Sequence, residues 1–147
     1  MNARVLGVDH GEVRIGLALA DPLGLTAQPL DTLERSGDRR DAQRIAEIVA
    51  EYEIGTIVVG FPLLLSGREG RAAERTRKFA SALRRRLPAV SVRLWDERLT
   101  TALAERTMIE GGVRRRKRRQ SVDRIAAVLI LQSYLDAAEA DDPEAES

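Results

Sequence analysis

Two short apolar runs open the chain, residues 5–9 (VLGVD) and 14–20 (RIGLALA), with the polar HGEV between them. Runs of this length around a glycine-bearing turn predict two strands of a hairpin, with Gly11 supplying the turn's freedom. DPLG at 21–24 is a second turn, and a less regular third strand is expected within 26–33. The chain therefore opens as a three-stranded antiparallel meander. The period then changes. Ala42, Ile45, Ala46, Val49 and Tyr52 recur at helical spacing among Arg and Glu, and Gly55 is the expected stop. TIVVG at 56–60 is a continuous apolar run, as a central parallel strand carries when both its faces are covered. A second amphipathic helix follows, with Ala72, Thr76, Phe79, Ala80, Leu83 and Leu87 on one side and Pro88 ending it. Residues 90–95 (VSVRLW) alternate as a strand. Thr100 is a candidate N-cap for a third helix reaching Glu110 before Gly111 and Gly112, and a last helix is expected over 122–138. Three strands, then helix, strand, helix, strand and two helices predict an α/β fold with a mixed sheet.

Composition narrows the class. The 147 residues, 44% hydrophobic and 32% charged, suffice for one domain around a single core. Aromatics are 3%, so that core must come from Leu, Ile, Val and Ala. No apolar run approaches the roughly 20 residues that span a bilayer, and no leader pattern opens the chain. The expectation is a cytoplasmic protein with no membrane partner. There is no cysteine, hence neither a disulfide nor a thiolate site. A lone histidine, His10, leaves carboxylates as the plentiful metal ligands.

Charge is segregated behind a net value of +1. The last twelve residues hold six acids and no base, which leaves 24 bases against 17 acids, a balance of +7, over 1–135. Arg114, Arg115, Arg116, Lys117, Arg118 and Arg119 form an unbroken run of six cations. Such a run points to nucleic acid as partner, against the plainer reading of a solvated loop. The domain is taken as 1–136, and 137–147 as an acidic, disordered tail.

Three sets of carboxylates fall at element ends. Asp9 closes the first strand, Asp96 and Glu97 follow the last, and Asp123 shares a helical face with Ala127, Ile130 and Tyr134. Parallel and mixed sheets bind ligands beyond the carboxyl ends of their strands, so these acids are positioned to converge. Each also has a plainer role open to it. Asp9 can cap a turn, Glu97 can pair with Arg98 or Arg93, and Asp123 suits a helix N-terminus. Burying unpaired acids together costs several kcal/mol, and a divalent cation removes that cost. Oxygen donors of this type hold Mg²⁺ or Mn²⁺, and two such ions about 3.5–4 Å apart clamp the oxygens of a phosphoryl displacement. The cationic run before Asp123 would then hold phosphate backbone beside the site, with Arg98 doing likewise at Glu97.

The motifs GVDHGEVRIGLALAD, VVGFPLLLSGREG, WDERLTT and SVDRIAAVLILQSYL, in this order, resemble the YqgF/RuvX family of pre-16S rRNA nucleases and Holliday junction resolvase-like proteins. The resemblance covers residues 4–135. It implies an RNase H-like fold: a mixed five-stranded sheet, its antiparallel three-strand meander continued by parallel strands, flanked by helices. It also implies an acidic centre of Asp9, Glu97 and Asp123, catalytic and metal-holding at once, served by Mg²⁺ or Mn²⁺. Arg14, Arg98, Thr100 and Thr101 match the family as well, and Lys117 falls in its basic segment. Thr100 and Thr101 would meet phosphate at the start of the third helix, with plain capping the competing role for Thr100. Two departures stand out. Relatives usually carry Asn near Leu64 and Asp or Asn near Ser66, and they carry Ser where Ala20 stands.

The activity so implied is that of a metal-dependent endonuclease maturing the 5′ end of precursor 16S rRNA, with ribosomal particles among its partners. A homodimeric resolvase cutting branched four-way DNA would use the same acids and stays open at this point. So does an RNA-binding factor of transcription or translation that cuts little or nothing. The first motif alone also fits the phosphate loop of actin-like kinases, but those need two such domains and 147 residues supply one.

Overall fold

The computed structural model describes residues 4–100 and 115–140, with side chains over 4–100 and 125–138. Strands β1 (Arg4–His10), β2 (Arg14–Ala20) and β3 (Ala27–Glu34) form the antiparallel meander. Helix α1 (Asp38–Tyr52), strand β4 (Ile54–Phe61), helix α2 (Arg71–Arg86) and strand β5 (Ser91–Asp96) follow. A 3-10 turn (Glu97–Leu99) and helix α3 (Arg115–Ala140) complete the described elements. The sheet runs β3-β2-β1-β4-β5, with β4 parallel to β1 and β5 parallel to β4. The mixed five-stranded sheet is thus the one expected.

Side-chain alternation gives the sheet two unlike faces. Leu6 and Val8 of β1 join Ile15, Leu17, Ile45, Ile57, Val59, Phe79 and Leu83 in the main core, beneath α1 and α2. The residues between them, Val5, Gly7 and Asp9, face α3. On that side Ala18, Ala20 and Ala27 meet Ala127, Leu131 and Leu135, and Val58 meets Ala126 and Ile130. Small residues let the helix lie close. A Cβ on Gly7 would fall 2.7 Å from Leu131 Cβ and 3.0 Å from the Ala127 carbonyl oxygen. Polar bonds pin the same helix: Gln132 accepts from the Ala27 N–H (2.9 Å) and donates to the Leu25 carbonyl (3.0 Å). On its other flank Trp95 donates its indole N–H to the Ser133 hydroxyl at 3.1 Å.

Two boundaries differ from expectation. Gly55 does not stop α1 but lies inside β4; the helix ends one turn of backbone earlier, where Glu53 takes a left-handed φ of 54° and its N–H bonds the Val49 carbonyl. Ile54, already buried at 5% exposure, draws the chain into the strand at once. The last helix starts at Arg115, not near Val122, so Arg115, Arg116, Lys117, Arg118 and Arg119 occupy its first turns and not a loop. It continues to Ala140. Thr101, Arg114 and the helix expected up to Glu110 lie outside the described residues. Among the described residues no helix is long and apolar enough to cross a membrane.

Candidate functional site

Asp9 stands in a clearing made by glycines. Its direct partner on β2 is Gly16. On the other side Val8 pairs with Val59, so the next β4 residue, Gly60, flanks Asp9. Gly7 precedes it by two on the same face. A strand gives up packing and backbone entropy at each glycine, and the usual return is close approach of something else.

Part of what approaches is Glu97. A Cβ on Gly60 would lie 3.2 Å from both Glu97 Cγ and Glu97 Oε1, so the side chain of Glu97 covers this glycine. Asp9 and Glu97 are each only 3% exposed. The structure therefore brings two buried carboxylates to the carboxyl ends of parallel strands β1 and β5, which flank β4.

The neighbouring acid, Asp96, is spent differently. It caps the 3-10 turn by accepting the Arg98 N–H at 2.9 Å, and it receives the Arg98 guanidinium through Nε and Nη2. The bond from Arg98 holds the Asp96 carboxyl below the usual carboxylate range. Arg98 pairs with Asp96 and leaves its third nitrogen, Nη1, facing Gly67 in the loop after β4. The turn at β5 thus sorts two adjacent acids, one to the surface and one inward.

Asp123 can be placed along α3 by its backbone position. Tyr134 packs near Val5, and Leu131 and Ala127 lie over Gly7, so the helix runs against β1. Four residues back from Ala127 is about 6 Å of helix, and Gly7 to Asp9 is about 6.6 Å of strand. Position 123 therefore lies beyond Ala127 in the direction of the Asp9 end of β1. Among the described residues no three His, Asp or Glu side chains gather as a metal site; the Asp123 side chain lies outside that set.

The other expected contacts are less gathered. Arg14 opens β2 and is mostly buried, its Nε 3.8 Å from Glu34 Oε1 at the sheet edge. The Thr100 hydroxyl donates to the Glu97 carbonyl at 3.0 Å and closes the 3-10 turn. The loop after β4 presents Leu64 and Leu65, at 52% and 87% exposure.

His10 follows Asp9 yet belongs to the opposite face. Its ring stacks on Phe79 with centroids 4.3 Å apart. Burial, then the charges of Arg35 and Arg75, push its pKa down to about 3, so it is neutral through the ordinary pH range. Alternation has removed the one histidine from the carboxylates.

Residues 3–137 match the family model described as RuvX: Holliday junction resolvase. A protein of Acetivibrio thermocellus, named "Putative pre-16S rRNA nuclease", is 49% identical over 135 residues, which is 91% of this chain and 96% of that protein. One of the same name from Syntrophus aciditrophicus is 52% identical over 134 residues, covering 91% of this chain and 89% of its own. Among solved structures, Thermus thermophilus RuvC in complex with a Holliday junction substrate has a TM-score of 0.60 at 18% identity, over 93% of this chain and 96% of that one. That likeness is one of fold, the RNase H-like arrangement of sheet and helices. About half of all positions shared along nine-tenths of the chain leave one conclusion: the chain belongs to the RuvX family of nucleases.

Proposed function

We propose that the chain is a metal-dependent endonuclease that hydrolyses a phosphodiester at the 5′ end of precursor 16S rRNA. The observation that supports this most is the pair of buried carboxylates, Asp9 and Glu97, over a glycine clearing at the strand ends. Hard oxygen donors in a site cleared of side chains fit Mg²⁺ or Mn²⁺, with Asp123 as the third donor. Held by Asp9, Glu97 and Asp123, a divalent cation would offset the buried negative charge and would polarise the phosphodiester. The chain's own groups position the substrate. Arg114, Arg115, Arg116, Lys117, Arg118 and Arg119 hold flanking phosphates, Arg98 offers the nitrogen that Asp96 leaves open, and Arg14, Thr100 and Thr101 are the further groups assigned to phosphate. The RNA assignment follows the names of the two relatives above; the family model's description favours branched DNA as the second reading.

The test is cleavage of precursor 16S rRNA and of a synthetic four-way DNA junction, each with Mn²⁺, by the native chain and by Asp9→Asn. The native chain cuts the RNA, and Asp9→Asn loses about a thousandfold in rate, several kcal/mol of charge stabilisation, while still binding it. Faster cutting of the junction would move the substrate to four-way DNA. An Asp9→Asn chain as active as the native one would remove Asp9 from the site, and binding without cleavage by either would leave an RNA-binding factor.

A further inference from the structure

Helix α2 carries seven bases, Arg71, Arg75, Arg77, Lys78, Arg84, Arg85 and Arg86, against one acid, Glu74. Its neighbour α1 balances three bases with four acids and sets Asp38 and Asp41 in its first turn, where the helix dipole favours them. On α2 the first residue after the Gly70 cap is Arg71, a cation at the end where the dipole opposes it. Arg84, Arg85 and Arg86 suit the last turn, whereas Arg71 and Arg75 lie near the start, where the dipole opposes a cation, and are like charges four residues apart.

The cations are also sorted by partner. Arg77 pairs with Glu69 and lies over the Phe61 ring, Arg84 donates to the Val92 carbonyl, and Arg86 donates to Gln43. Arg71, Lys78 and Arg85 are exposed and, among the described residues, make no ion pair or side-chain hydrogen bond. They recur every seven residues, so they form one stripe on the outer face, with Glu74 and Ser81 between them.

The stripe has a direction. α2 begins straight after the loop that leaves β4 at Phe61, next to the Gly60 that Glu97 covers, and then runs back to feed β5. Arg71 is therefore at the carboxylate end and Arg85 at the far end, about 21 Å away along the helix. That length matches about six phosphates of one duplex strand.

Resting on the nuclease reading, we propose that Arg71, Lys78 and Arg85 form a backbone track that holds the nucleic acid flanking the scissile bond. The track reads no sequence, since point charges on an outer helix face meet phosphates and not base edges. It lies across the sheet from α3, so it is separate from the run 114–119.

The experiment measures binding of a labelled RNA duplex of about twenty base pairs, long enough to pass the site and the stripe, across a salt series. The triple variant Arg71→Gln, Lys78→Gln, Arg85→Gln should weaken binding about tenfold at physiological salt. Its log–log salt slope should fall by about two, as three lost phosphate contacts at roughly 0.7–0.9 each require. Removing three exposed cations elsewhere (Arg39→Gln, Arg40→Gln, Arg93→Gln) should leave affinity within about twofold and the slope nearly unchanged. Equal losses in both triple variants, or native affinity and slope in the α2 variant, would overturn the track. No RNA affinity in the native chain would overturn the precursor-rRNA reading along with it. Anionic vesicles bound by the native chain and not by the α2 variant, with RNA binding intact, would assign the stripe to a lipid surface instead.

Discussion

Under α1 and α2 the sheet presents Leu6, Val8, Ile15, Leu17, Ile57 and Val59, whereas under α3 the same strands present Gly7, Gly16, Gly60, Ala18 and Ala20. Bulky chains on the first face exclude water over a wide area, and that burial is the main source of stability. On the second face the chain gives up such burial and lets the α3 backbone and the Glu97 side chain come within contact distance. On the proposed function, stability and chemistry fall on opposite sides of one sheet, and the adjacent residues Asp9 and His10 face opposite ways.

Substitutions can test that division. Phe79→Ala, on the bulky face, should cost about 3–5 kcal/mol in urea unfolding, because a fully buried ring leaves a cavity. Its rate of cleavage, measured well below its melting temperature, should stay near native; a large fall would mean the faces are coupled. Gly60→Ala should show the reverse. The added methyl meets the movable tip of Ile130 and the side chain of Glu97, so a displacement of Glu97 by about 1 Å should lower the rate about a hundredfold with little change in stability. Gly7→Ala should destabilise by about 1–3 kcal/mol, since the methyl meets a Cβ and a backbone oxygen that cannot turn aside.

The smallest effect is one of pH. His10 has its ordinary pKa of 6.5 when unfolded and about 3 when folded, so below pH 6.5 the unfolded chain binds the extra proton. Stability from this group is complete above pH 6.5 and declines as the pH falls toward 3. At pH 5.5 the loss is about 1 kcal/mol, and His10→Gln should flatten the stability profile between pH 7 and 5.5. An unchanged profile would mean that His10 is not held neutral by its surroundings.

Patterns with a period were readable from the residues alone. β2 has the bounds its alternation predicts, and the apolar run of β4 is central in the sheet as its composition requires. Features decided by a single backbone angle were not. Glu53 ends α1 in a left-handed conformation that Glu seldom adopts, while Gly55, the obvious breaker, sits in a strand. The start of α3 was hidden because a run of Arg and Lys has no apolar period, although both residues favour helices. Asp96 and Glu97 are adjacent acids, and only the 3-10 turn after β5 separates their roles. The stripe on α2 escaped notice for a related reason: charged residues opposite an apolar face look like ordinary solvated surface until the partners of each are known.

The anchorage of α3 has a consequence for changes in chain length. Gly7, Gln132 and Ser133 fix the helix at and beyond position 127, and position 123 lies one further helical turn toward the Asp9 end. One residue inserted or deleted between 123 and 127 would rotate Asp123 by about 100° around the helix axis. Two more residues would not restore it; only whole turns recover the direction, and each moves the group by about 5.4 Å. The interval from 123 to 127 is thus a fixed measure, closed to insertions and deletions.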